Sequence, residues 1–130
     1  MIDAPKVLRD YLAAQASLTA LTSTRIYAER NYPMPGYNPS DGACVVFRSR
    51  GGRVQYSSKI LTNSFQIKCY AADEADANTL YRTLYDALHD AKGSGIYHGG
   101  LEIAGQTLAD MTTGWVYVLA FFEVKFRIDS

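Results

Sequence analysis

Histidine and cysteine are scarce in this chain, which has only His89, His98, Cys44 and Cys69. None has a second His or Cys beside it at metal-ligand spacing, and no C-x-x-C pair occurs, so the common zinc and dithiol motifs are excluded. Cys44 and Cys69 sit singly in apolar, strand-like runs. They read as reduced, buried residues of a cytosolic product. Net charge is also lacking, with 13 Lys and Arg against 13 Asp and Glu. That removes any global bias toward nucleic acid or an anionic membrane. The longest apolar run, residues 115–122, is far too short to cross a bilayer. No apolar stretch follows Met1, so no signal peptide is expected. There is no Walker A sequence and no dinucleotide fingerprint, and Gly93-Ser94-Gly95 lacks the spacing of a nucleophile elbow. Internal repeats and low-complexity tracts are absent as well.

What is present points to one domain over residues 1–130, large enough to hold a core without disulfides. Residues 116–128 carry the clearest pattern. Val116, Val118, Ala120, Phe122, Val124, Phe126 and Ile128 alternate as one face of a strand. The other face begins Trp115, Tyr117, Leu119, Phe121 and turns to Glu123, Lys125, Arg127. A strand dry on one side only is polar along its other side. The apolar half is therefore expected to lie under a helix near its middle and to approach a subunit boundary at its Trp115 end. Trp115 and Tyr117 are candidate partner contacts on that ground, since large aromatics anchor interfaces. Ten tyrosines in the chain fit either an interface or a half-buried sheet.

Along the rest of the chain, Asp3 caps a first helix whose Val7, Leu8, Tyr11 and Leu12 share a face, followed by a short turn around Leu18 and Leu21. Residues 25–30 and 43–49 read as strands. Between them, residues 31–42 hold three prolines, two glycines and two asparagines and form an extended loop. Residues 54–59 and 63–71 pair as strands, with Phe65, Ile67, Cys69 and Ala71 on one side. Asp73 caps a second helix with a buried stripe of Leu80, Leu84, Leu88 and Ala91 and an end at Lys92-Gly93. A glycine-rich connection leads to two short strands, residues 101–104 and 106–111, around a turn at Gly105. Strands grouped between two helices give an α+β fold, with a mainly antiparallel sheet and two helices packed on one face.

For chemistry, His98 in the glycine-rich connection is the best-placed catalytic candidate, but neither it nor His89 has partners in sequence. Glu102, Asp110 and Glu123 come from separate strands, and nothing pairs them as acid and base. The charge pattern is sharper. No acidic residue lies between Asp41 and Asp73, whereas Arg48, Arg50, Arg53, Lys59 and Lys68 do. Arg50 and Arg53 flank Gly51-Gly52 at an expected hairpin tip whose only aromatic is Tyr56. Arg48, Arg50 and Arg53 are candidate partner contacts, for phosphates or for an acidic protein surface; solvated charges would look the same.

Taken in order, these segments resemble a known family. A helix runs into Leu18-Thr-Ala-Leu21 and Arg25-Ile-Tyr27, and a proline-containing loop precedes Cys44-Val-Val-Phe47. Phe65-Gln-Ile-Lys-Cys-Tyr70 then leads through Ala71-Ala-Asp73 into a helix, and a late Trp115 opens a long apolar strand. This is similar to the tail-completion and tail-terminator proteins, the small neck proteins of long-tailed bacteriophages. The resemblance implies a structural protein without enzyme activity, cofactor or metal, located in the virion and in the host cytoplasm during assembly. It implies a homo-oligomeric ring, usually of six subunits, that caps the tail tube, stops its polymerisation and meets the head connector. Its partners would be the tail-tube protein and the head–tail connector protein. DNA would pass through the ring without being specifically bound, and no membrane would be involved. A head-side adaptor or stopper is the neighbouring reading, and a small enzyme or ligand-binding domain using His98 is the reading from another class.

Overall fold

The structure is a computed structural model that describes residues 3–55, 57, 59–93 and 95–128. Tyr56 and Ser94, named above, lie outside the described residues. Three α-helices, α1 (Ala4–Ala13), α2 (Ala16–Thr22) and α3 (Glu74–Leu88), accompany five strands. The strands are β1 (Ile26–Ala28), β2 (Cys44–Gln55), β3 (Ile60–Ala71), β4 (Ile96–Ala109) and β5 (Val116–Arg127). They form one sheet in the order β1-β2-β3-β5-β4, in which only the β1–β2 pair is parallel. The α+β fold and the mainly antiparallel sheet are as expected, and the turn at Leu18 is a helix in its own right.

All three helices pack on the same face. Leu8 and Leu12 of α1, Leu18 of α2, and Leu80, Leu84 and Leu88 of α3 join one buried cluster with Val45, Phe47, Phe65, Ile67, Cys69, Val118, Ala120, Phe122, Val124 and Phe126. The alternation read for residues 65–71 and 116–126 is thus the helix-covered side. Local signals hold the helices in place. The Asp3 carboxylate accepts from Lys6 N at 3.4 Å and that of Asp73 from Asp76 N at 2.8 Å, satisfying first-turn donors. Tyr11 Oη donates to Ala87 O at 2.7 Å and ties α1 to α3.

Four expectations need correction. First, α3 ends at Leu88 rather than Ala91. Asp90 N donates to Gly99 O (2.8 Å) and Gly99 N to Ala91 O (3.2 Å), so the start of β4 takes over backbone groups that another helical turn would need. Ala91 is still buried in the core. Second, residues 96–109 are one long strand instead of a connection and two short strands. Three register shifts interrupt its pairing with β5 and blur its period. Gly105 is a close-approach point, not a turn: its N–H donates to Tyr81 Oη at 2.9 Å, and a Cβ there would lie 2.7 Å from Val118 Cγ1 and 2.8 Å from the Tyr81 ring.

Third, Arg50-Gly51-Gly52-Arg53 is not a hairpin tip. It lies inside β2, and the hairpin closes beyond Gln55, which pairs with Ile60. Ser49 pairs with Phe65 and Gly52 with Asn63, so residues 50 and 51 together oppose Ser64 in a β-bulge, with Gly51 at φ +96°. At Gly52 a Cβ would run into the carbonyl oxygen of Thr62 and lie 2.8 Å from Asn63 Cα, both backbone atoms that cannot swing aside. Gly52→Ala is therefore expected to cost about 1–3 kcal/mol through forced strand displacement. Chemical denaturation checks this; an unchanged midpoint would show that β2 and β3 separate there without penalty.

The fourth correction concerns the other face of the sheet. No described α-helix covers Trp115, Tyr117, Leu119 and Phe121, because α1, α2 and α3 all lie on the opposite side. Their partial burial has two other sources. At the Trp115 end, Tyr37 from the 31–42 loop folds over Cys44, Val46 and Tyr70 and forms a second small cluster with Tyr27, Trp115 and Tyr117. Farther along, long cationic side chains lie across the aromatic rings. Among the described residues no helix is long and apolar enough to cross a membrane.

Candidate functional site

The helix-free face collects every residue singled out for partner contact. Register places Arg48 across from Gln66 and Arg53 across from Thr62, which in turn face Phe121 and Lys125 of β5. Strict period-two alternation would put Arg48 and Arg53 on opposite sides. The extra residue in the bulge resets the phase, so Arg48, Arg50 and Arg53 share the face that also carries Trp115 and Tyr117. The arginines lie toward one end and the two aromatics at the other.

Between them runs a series of cation–π contacts. The Arg50 guanidinium lies 4.4 Å from the Phe121 ring centre, and Lys68 Nζ lies 4.9 Å from that of Tyr32 and 5.3 Å from that of Tyr117. Arg50 is also 3.8 Å from Glu102 and donates to Ser64 Oγ at 3.4 Å, and Ser64 Oγ donates to Glu102 at 2.7 Å. Lys68 Nζ donates to Asn31 O at 3.1 Å, tying the 31–42 loop to the middle of the sheet. Burial holds the Lys68 pKa below the usual lysine range. Cations thus lie over what would otherwise be an apolar stripe, a surface that can exchange solvent for a partner's groups without exposing a raw hydrophobic patch.

Replacing Arg48, Arg50 and Arg53 together by Ala should leave the fold standing, with a stability change of about 1 kcal/mol or less, because exposed ion pairs contribute little. Association with a protein partner that docks on this face should weaken in the same variant, as read by co-sedimentation. Unchanged partner association by the triple variant would rule these arginines out as partner contacts.

Lys68, Tyr70, Tyr32, Tyr37 and Asp110 complete the site and were not read as functional from the sequence. The available signal was Tyr70, a large ring on the side of β3 otherwise filled by Ser64, Gln66 and Lys68. The two cysteines are buried as expected, Cys69 in the helix-side core and Cys44 under Tyr37. Burial pushes the Cys44 thiol up to about 12 and raises Cys69 as well, so neither is a thiolate nucleophile at neutral pH.

The His98 candidate lies at the far end of the same face, paired across from Lys125. Its Nε2 is 3.0 Å from Asp90 Oδ1, an orienting contact of the sort a general base uses. It borders a cavity of about 520 Å³ whose charged lining groups are Lys92, Lys125 and Arg127. That lining offers cationic contact rather than an acid–base pair. His89 stacks on Tyr85 at 4.7 Å. No cluster of three or more His, Cys, Asp or Glu side chains among the described residues could hold a metal ion.

The sheet is thus armoured by helices on one side and open, cationic and aromatic on the other. The fold is similar to that of a chain in a solved structure described as "Virion of native gene transfer agent (GTA) particle". The TM-score is 0.66 at 19% identity, over 92% of this chain and 90% of that one. At that identity the likeness is one of fold. No protein-family profile and no curated protein matches the sequence.

Proposed function

We propose that this chain is a structural virion protein of a phage-like particle, a tail-completion or tail-terminator protein of the neck. In this reading it forms a ring, of six subunits, at the head-proximal end of the tail tube. The ring stops tube polymerisation and joins the tail to the head connector. Catalysis has no part in it, and DNA passes through without specific contacts. The observation that carries the reading is the end-to-end fold similarity to a virion chain, since it spans nearly the whole of both chains.

The two unlike faces support it. A closed ring is built from heterologous contacts, so each subunit shows two different complementary surfaces. The helix layer provides one and the cation-laid sheet face the other. A chain whose large aromatics are half-buried beneath its own lysine and arginine side chains is suited to regulated association rather than to indiscriminate aggregation.

The test is the native mass of the protein in solution, alone and with tail-tube protein. A ring-sized species, alone or on addition of tube protein, is expected. A protein that stays monomeric at high concentration and beside tube protein would overturn the ring. Binding to the head connector in the absence of any contact with tube protein would move the assignment to a head-side adaptor or stopper.

A further inference from the structure

At the Trp115 end of the open face, the 31–42 loop and the turn between β4 and β5 enclose a cavity of about 390 Å³. Its walls include the rings of Tyr32, Tyr37, Tyr70 and Trp115, and its rim includes Asp110. The rings are fixed against one another rather than loosely gathered. Trp115 meets Tyr37 edge-on at 5.6 Å and Tyr70 at 6.4 Å, while Tyr37 Oη is committed to Gly42 O at 2.6 Å.

Two polar groups at this cavity have spare capacity. Tyr70 is fully buried, yet its hydroxyl has no hydrogen-bond partner among the described residues. A buried hydroxyl without a partner is costly and calls for an explanation. Asp110 Oδ1 accepts from Thr112 N at 2.8 Å and from Thr113 N at 3.0 Å, which orients the carboxylate at the cavity. The same two backbone donors, that of Thr113 first, hold its pKa below the ordinary carboxylate value, so it is ionised at neutral pH.

We infer that this cavity receives an arginine side chain from a partner protein. A planar guanidinium is held by aromatic faces and by a carboxylate, and it carries N–H donors to spare for a neutral hydroxyl. The surrounding face already uses the same chemistry, with Arg50 over Phe121 and Arg127 over Tyr97. Lys68 is the cation nearest this pocket on β3. Its Nζ is engaged by Asn31 O and the Tyr32 and Tyr117 rings and attracts the Asp110 carboxylate at longer range, but it is not part of the cavity wall. The inference deepens the proposed role by naming the chemistry of one partner contact.

Trp115 is the one tryptophan in the chain, so its fluorescence reports on the cavity directly. The probes are Nα-acetyl-arginine amide and its uncharged isostere Nα-acetyl-citrulline amide, titrated at constant ionic strength into the full chain. A saturable change in emission is expected with the arginine compound, and a response at least about tenfold weaker with citrulline. Asp110→Asn should weaken arginine binding by about tenfold or more. Tyr70→Phe should fold at least as stably as the parent, because it removes an unsatisfied group, and yet bind less tightly. Circular dichroism on each variant confirms that the comparison is between folded proteins. No saturable response, equal responses to the two probes, or unchanged binding in both variants would overturn the inference. The titration reads the pocket and not the assembly, so its failure leaves the ring test intact, and a failed ring test leaves the titration intact.

Discussion

Leu84→Ala should destabilise the protein by about 2–5 kcal/mol, with a fall in melting temperature of roughly 6–20 °C. Leu84 sits at the centre of the α3 stripe, fully buried between Leu80 and Leu88, and the stripe lies on β3, β4 and β5. Truncation loses the transfer energy of the removed atoms. It also leaves a cavity whose walls are held by a sheet on one side and a helix on the other, so collapse is limited. Thermal unfolding followed by circular dichroism measures the loss. A melting temperature unchanged within error would mean that α3 does not hold the sheet.

In the proposed ring, Trp115→Ala should convert the oligomer to a folded monomer. The large cluster that holds the domain together is on the other side of the sheet, and Trp115 belongs only to the margin of the small cluster around Tyr37 and Tyr70. Loss of its ring therefore removes an interface anchor without opening the main core. Sedimentation, with circular dichroism on the same sample, separates the outcomes. An unfolded chain with no stable monomer would make Trp115 a core residue. An unchanged oligomer would place the subunit boundary elsewhere.

Much of the fold was legible where one signal had one cause. Asp73 followed by leucines at 80, 84 and 88 could only be a capped helix with a buried stripe, and the alternation from Val116 to Phe126 could only be a strand on a core. The candidate site was half legible. The five candidate partner residues were named, but the surface that unites them was not, because burial has more than one cause. Trp115, Tyr117, Leu119 and Phe121 are shielded by a loop and by Arg50 and Lys68, and in sequence this looks the same as shielding by a helix. Gly51-Gly52 misled for a related reason, since paired glycines mark a tight turn and a bulge alike. Which one forms depends on the partner strand's residues, Asn63 and Phe65, more than ten positions away. The pocket at Trp115 joins residues from Tyr32 to Trp115, and no local pattern connects them.

The bulge in β2 also makes a statement about which changes this surface can survive. Substituting any one arginine alters a charge and leaves the others where they are. Removing Gly51 would close the bulge and restore strict alternation while leaving Arg50 opposite Ser64, Gly52 opposite Asn63 and Arg53 opposite Thr62, so all three arginines would stay on the open face. A shortening by one residue should thus be absorbed at the bulge, which is the slack in this strand's length. A scan of one-residue deletions through residues 48–55 should find position 51 the most tolerant, and a sharp loss of stability on removing Gly51 would show that the bulge itself is needed to hold β2 on β3.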